Sequence, residues 1–435
     1  MASETASEAA PAKPRRRSRK RRGEAVAPIE YHLLMLITLG LVAFGLIMVY
    51  SASSGLAVVQ GQDPIAALVR QGSYALAGIL CMAGATRFSY RHLRVAGPFL
   101  MLAALIGLIL VKVPGIGLRL NGAERWIAAG PITIQASEFA KLAVVVLTAA
   151  VLAARKRPPR TVKELVNPIG VMTLVVCGLV ALEPDLGTTI AIAVTCTGML
   201  IVAGTPLRLL AGTFAVLGTG AAFIISQNAY MHARLLAFMH PFHDAGGSGY
   251  QNAQALIALG SGGIWGKGLG QGTQKLAYLP ESPSDMIAAV IGEELGLIGI
   301  LLTSLAFAGF AVLGFRIALR TRDPFGKYLA AGITCLVTGQ AVVNLGAVLG
   351  FLPLTGVPLP LISSGGSSLV VFMTLSGTLL NVAQAERRPV RAISTPDATS
   401  EPRPRIRTAN DGADRSRRNS RPRRAVAGGR RRAHG

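Results

Sequence analysis

The chain has 435 residues, of which 51% are hydrophobic and only 15% charged, against about 25% charged in soluble globular domains. That composition excludes an ordinary water-soluble enzyme and leaves a protein that resides in a bilayer. The formal net charge of +23 is concentrated at two flanks, Lys13–Arg22 and the segment from Arg387 onward, so the positive-inside rule and anionic membrane lipid account for it and a nucleic-acid partner does not.

Residues 1–28 are rich in Pro, Ser and Arg without apolar periodicity, and they are read as a disordered, basic cytoplasmic tail. The first apolar run, Leu33–Val49, follows basic residues as a signal peptide would. It is long enough to span and has no clear small-x-small cleavage site, so it reads as an uncleaved anchor. Crossing a bilayer takes about 20 apolar residues. Such runs lie at 32–52, 65–86, 95–113, 138–154, 166–183, 187–204, 207–227, 286–315, 328–350 and 367–384. Their backbones must satisfy themselves in lipid, so they are predicted as helices. Their many Gly, Ala, Ser and Thr residues suit close packing.

The expected fold is therefore all-α, a polytopic membrane bundle of about ten helices over residues 29–386. Arg87, Arg91 and Arg94, then Arg155–Lys163, then Arg316–Lys327 place alternate loops in the cytoplasm, together with both termini. Loops 53–64, 114–137, 184–186, 228–284 and 351–366 then face outward, with the largest just before the eighth span. Residues 387–435 form the second basic tail, also read as disordered. The four cysteines, Cys81, Cys177, Cys196 and Cys335, all lie in apolar runs, which points to neither a disulfide nor a metal site.

The outward loops carry the candidate chemistry. Asp285 directly precedes the apolar run Met286–Phe315. It is either an N-cap, worth about 1 kcal/mol, or a base whose proton affinity a membrane boundary would raise. Glu293 follows two turns later, about 12 Å deeper on roughly the same face, and an acid there is costly unless it is paired or functional. Glu138 and Lys141 are spaced to pair. Yet Arg119, Arg125, Lys141 and Arg234 are cations on the side where the charge rule disfavours them, which suits an anionic ligand, phosphate above all. Trp126 alone would be an interfacial anchor. Asp185 reads first as a cap for the next helix. The glycine segment Gly262–Gly272 lacks the P-loop pattern and reads as a flexible, partly re-entrant loop. In Pro353–Ser368, serines such as Ser367 and free amides would either bind a diphosphate or satisfy a broken helix.

Taken together, Asn121–Ile127, Gln135–Lys141, Glu183–Thr189, Arg234–Pro241, Gly249–Gln254, Lys275–Gly296 and Asn344–Ser368 resemble the SEDS family, the FtsW/RodA/SpoVE polymerases of bacterial cell-wall glycan. Met48–Ser54 is more similar to the division branch than to the elongation branch. Ala136, Pro283-Ser284 and Ser364 depart from the usual family residues without removing a charge.

The resemblance implies a glycosyltransferase that polymerises lipid II at the outer face of the bacterial cytoplasmic membrane, during septum formation. Asp285 would be general base or metal holder, and Arg125, Trp126, Glu138, Lys141, Arg234, Glu293 and Ser367 would bind substrate. A divalent cation, Mg or Mn, is compatible with that chemistry, and no organic cofactor is needed. The implied partners are lipid II, a class B penicillin-binding protein, other divisome proteins and anionic lipid at the tails. The rival readings are a lipid II flippase, which Glu293 and Arg70 would suit, an elongation-type polymerase, and a scaffold that only recruits a partner enzyme.

Overall fold

The computed structural model describes residues 29–385, apart from 121–122, 130–131, 184, 228–235, 244–246, 248 and 277. Both tails lie outside the described residues. Nine described helices are long and apolar enough to cross a membrane. They are α1 (Ile29–Val59), α2 (Ala66–Arg87), α3 (Arg91–Leu110), α4 (Ala136–Ala154), α5 (Val162–Leu182), α6 (Leu186–Ala203), and, after the long loop, α9 (Ile287–Arg320), α10 (Pro324–Val348) and α11 (Gly366–Ala385). The remaining predicted span is helix α7 (Leu207–Gln227), part of whose side chains lie outside the described set. The protein is a multi-pass membrane protein. Its long apolar runs close their hydrogen bonds within each helix, as the bilayer demands.

Helices α4, α10 and α11 are buried along most of their length, whereas α2, α3 and α5 bury little of theirs. Leu76, Leu80, Phe99, Leu102 and Leu174 are among the exposed side chains. In a bilayer such residues face lipid, so the polar residues of the central helices mark the interior.

Two features depart from the expected set of helices and loops. An antiparallel sheet is formed by β1 (Gly117–Leu120), β2 (Ala123–Ala129) and β3 (Ile132–Gln135), in the order β1-β2-β3. The long loop contains a further helix, α8 (Tyr250–Gly262), which buries Ala253, Ala255 and Ala258.

The glycine segment after α8 is built into the fold rather than flexible. Helix α9 breaks at Gly296, where φ is 67° and ψ is −160°. The backbone groups around the break are taken up by the segment: Leu297 N–H donates to Gly263 O at 2.9 Å, and Lys267 and Gly268 N–H donate to Glu293 O and Glu294 O at 3.0 and 2.9 Å. Interrupted membrane helices persist where neighbouring backbone satisfies them in this way.

Bonds between the described loops group them at two ends. At one end, Glu30 pairs with Arg320, Tyr90 Oη donates to Asp323 at 3.0 Å, and Asn381 bonds Tyr90 N–H and Thr86 O. These contacts belong to the end with the basic loops. The chain enters α1 and leaves α11 there. The sheet, the 183–185 turn, the segment before α9 and the loop before α11 meet at the other end.

Candidate active site

The loop between α10 and α11 is the hub of that outward end. Its backbone is forced into shape: Leu361 has φ of 65°, unusual for a branched side chain. Helix α1 presses on it at Gly45, where a Cβ would come within 2.7 Å of Ile362 Cα. Polar side chains hold it from several sides. Ser363 Oγ accepts from Leu359 N–H at 2.7 Å, and Gln71 Nε2 donates to Ser363 O at 3.2 Å. Ser367 Oγ accepts from Gln135 N–H at 3.3 Å, tying the loop to β3.

Asp285 sits against this hub. The N-cap position of α9 falls on Met286, which makes no side-chain capping bond. The backbone of Asp285 is held from the hub. Asn344 Nδ2 donates to Asp285 O and to Val357 O, both at 2.8 Å, and Ser364 N–H donates to Pro283 O at 2.8 Å. The carboxylate is half-buried and lies beside Gly356, whose Cβ would be 3.6 Å from Oδ2. The Ser284 hydroxyl lies 3.4 Å from Asp285 Oδ1 and 2.8 Å from Glu281 Oε2. This shared hydroxyl brings a second acid into the same turn.

Across the hub stands the turn between α5 and α6. Gly187 is pressed onto the loop so closely that a Cβ would be 2.1 Å from Val357 Cγ2 and 2.5 Å from Thr355 O. Asp185 caps α6 as expected, accepting from Thr188 N–H at 3.0 Å and Thr188 Oγ1 at 2.9 Å. Arg125, on β2, donates from Nε to Glu183 O at 2.9 Å. Arg125 and Asp285 are therefore linked through a short run of close contacts: Glu183, the capped turn, residues 355–357, Asp285. Trp126 is half-buried on β2 and pairs in register with Gln135. Glu183 is fully buried, and burial first, then the Asp185 carboxylate, push its own carboxyl up to about 8 against the pull of Lys112 and Arg125.

Lys141 is not on the surface. Its side chain is enclosed, 2.8 Å from Glu138 Oε1, 2.8 Å from Gln340 Oε1 and 5.2 Å from the Phe372 ring centre. The Glu138–Lys141 pair expected from their spacing exists, and in this structure burial and pairing occupy the ammonium. Gln340 passes the link on, donating from Nε2 to Pro358 O at 2.8 Å. Gln340 and Asn344 lie one turn apart on α10, and together they support the loop beneath Asp285.

Glu293 is likewise enclosed. It accepts from Lys267 Nζ at 2.7 Å, Thr273 N–H at 2.9 Å and Gln274 N–H at 3.1 Å. Glu294 accepts from Lys275 Nζ at 2.6 Å, Ser51 Oγ at 2.6 Å and Gly270 N–H at 3.1 Å. These acids fasten the glycine segment, and Lys267 is the partner that an acid at the Glu293 position requires. Arg70 is exposed on α2. Arg234 lies outside the described residues, and the side chain of Arg119 does too. Sequence reading missed Gln340 and Glu183. A buried amide in an apolar span was the available signal for the first, and an acid beside the capping Asp185 for the second.

Comparisons with known proteins agree with this architecture. A family model described as cell cycle protein, for FtsW, RodA and SpoVE, matches residues 31–388. The chain is 38% identical over 351 residues to a probable peptidoglycan glycosyltransferase FtsW from Geobacter metallireducens, covering 81% of this chain and 94% of that protein. Among solved structures it is similar to a chain from a peptidoglycan synthase complex that coordinates polymerization and crosslinking, with a TM-score of 0.68, 27% identity, and 82% and 98% of the two chains covered. It is also similar to the rod shape determining protein RodA of Thermus thermophilus, with a TM-score of 0.60, 28% identity, and 82% and 97% covered.

Proposed function

The chain belongs to the FtsW, RodA and SpoVE family of cell cycle proteins, and from that premise we propose that it is a peptidoglycan glycosyltransferase that joins lipid II units at the outer membrane face. One observation carries the assignment of the base. Asp285 is fixed through its own backbone, by Asn344 and by the Ser364–Pro283 bond, where the outward loops converge.

The acceptor's sugar hydroxyl oxygen attacks the anomeric carbon of the donor. A glycosidic C–O bond forms as the bond from that carbon to the diphosphate breaks. The hydroxyl proton passes to Asp285, and the electron pair leaves with undecaprenyl diphosphate. A carboxylate placed for that transfer contributes roughly 10²–10⁴-fold. Arg125 binds the departing diphosphate, where its planar guanidinium suits paired phosphate oxygens. The lipid tails stay in the bilayer beside the exposed helices. In the alternative role, Asp285 would not take the proton but would hold a Mg or Mn ion with Glu281 and the Ser284 hydroxyl, since such an ion takes one or two carboxylates plus substrate phosphates. Such an ion would neutralise the leaving group.

The FtsW name of the relative supports a place at the division septum. The match to a complex that couples polymerization to crosslinking supports a class B penicillin-binding protein as partner. The test is labelled lipid II given to the purified protein with that transpeptidase. Asp285→Asn is expected to lose at least about 10²-fold in rate with an unchanged melting temperature. Near-normal polymer from that variant would remove Asp285 from the chemistry.

A further inference from the structure

Helix α5 is interrupted near the end of the bundle that carries the basic loops. Pro168 has no N–H to donate and disfavours helical backbone in the residue before it. Asn167 accordingly leaves the helical region, with φ of −106° and ψ of 121°. Its carbonyl is taken up from outside the helix: Arg155, just past the end of α4, donates from Nη2 at 2.6 Å. Beside this break a groove of about 310 Å³ lies between α3 and α5, lined by Met101, Leu105, Asn167, Val171, Met172 and Val175 among others. Val171 and Val175 are exposed there, as are Leu102 and Leu174 on the same two helices.

The groove has a basic mouth. The segment from Ala154 to Val166 holds the cations Arg155, Lys156, Arg157, Arg160 and Lys163 and a single acid, Glu164. That acid is taken by Arg157 Nη2 at 3.1 Å and by Arg160 N–H at 2.9 Å. Arg155, Lys156 and Lys163 are left with no acidic partner among the described residues. The bond to Asn167 fixes Arg155 at the groove, Lys156 adjoins it in the chain, and Lys163 stands one helical turn before Asn167.

We propose that this groove is a binding site for an anionic phospholipid of the surrounding bilayer, with an acyl chain between α3 and α5 and the headgroup phosphate at Arg155, Lys156 and Lys163. Charge selects the headgroup, since basic pockets between membrane helices bind acidic lipids. An arginine has more donors than one carbonyl takes, and its planar fork fits phosphate oxygens. The lining selects a chain over a helix. A partner's membrane helix packs closely against small residues, whereas this groove presents Met, Leu and Val, and methionine adapts to an irregular occupant.

The experiment places the full chain in liposomes containing phosphatidylglycerol or phosphatidylcholine with a photoreactive acyl chain, and maps the cross-links by peptide mass spectrometry. Phosphatidylglycerol is expected to label α3 and α5 around Met101 and Met172 at least about fivefold more than phosphatidylcholine, the worth of one basic residue at an anionic headgroup. Arg155→Gln should lower that labelling about fivefold. That variant also disturbs the bond to Asn167, so Lys156→Gln/Lys163→Gln serves as the second, removing two exposed charges that make no ion pair among the described residues. It should lower labelling at least as much. Arg316→Gln, which removes an exposed cation of another basic segment, should leave it unchanged. A ligand of the folded state also raises its melting temperature. Phosphatidylglycerol should therefore stabilise the purified full chain more than phosphatidylcholine does, and the lysine variant should shrink that difference. Equal labelling of the groove by both lipids, or label spread evenly over the exposed helices, would reduce the occupant to bulk lipid and overturn the proposal. Labelling that survives in both variants would remove the headgroup assignment. Loss of the groove label when the proposed transpeptidase partner is added would give the groove to a protein helix.

Discussion

Asn344 makes the position of Asp285 depend on one amide. Its Nδ2 serves two carbonyls, Asp285 O and Val357 O. Replacing it with Ala leaves both carbonyls without their donor, at about 1–3 kcal/mol for each group left unsatisfied. A misplacement of 1 Å near reacting atoms costs up to about 10²-fold in rate. Asn344→Ala is therefore expected to lower kcat by one to two orders of magnitude, with a smaller change in KM, in a lipid II polymerisation assay. A purely substrate-binding role would move KM instead. Lys141 separates structure from contact in a similar way. Lys141→Ala strands Glu138 as a buried unpaired charge and should cost about 3–5 kcal/mol. The double variant Lys141→Met/Glu138→Leu should recover most of that stability, since apolar replacements of buried pairs are often tolerated. If stability returns and polymerisation does not, Lys141 touches substrate after all. At this scale the sequence pointed to Asp285 and Arg125 because each is a charge in a place that penalises it. It did not disclose that Lys141 faces inward, because a cation near a membrane boundary reads the same whether it meets a ligand or a buried glutamate.

The most demanding element is the broken α9. Gly296 adopts φ of 67°, and a Cβ there would lie 2.4 Å from both Gly266 N and Ile264 O. No L side chain fits against rigid backbone on both sides. Gly296→Ala is expected to cost on the order of 3 kcal/mol or more, from strain and overpacking together, seen as a lower melting temperature in detergent. An unchanged melting temperature would mean that the break is not rigid. Sequence reading took Met286–Phe315 as one continuous span, since a single glycine in an apolar helix is ordinarily tolerated. The signal was there in the neighbouring Glu293-Glu294, whose charges required partners from another segment. The sheet was also legible in part. Asn121-Gly122 stands between short alternating runs, the strongest local hairpin signal. It was masked by reading every outward stretch of a membrane protein as loop.

For the whole molecule, hydropathy specified the order of the spans, because the bilayer leaves so few alternatives. It did not specify which helices are central, because lipid and protein interior are equally apolar and only packing tells them apart. The same arrangement separates chemistry from attachment. The bonds that build the site join Gly45, Arg125, Glu183, Asp285 and residues 340–367. The chain enters and leaves the bundle at the opposite end, where Glu30 pairs with Arg320 and Asn381 meets Tyr90. A helix of 20 residues such as α11 separates the two ends by about 30 Å. A protein cut to residues 29–386 is therefore expected to polymerise lipid II at the native rate when purified with the proposed transpeptidase partner. In cells it should support division poorly, since each basic residue near an anionic membrane surface contributes about 1 kcal/mol of attraction. The paired measurements are turnover in detergent and complementation of a depletion strain. If the shortened protein keeps its melting temperature but loses turnover, a tail reaches the catalytic end and the separation of chemistry from attachment fails.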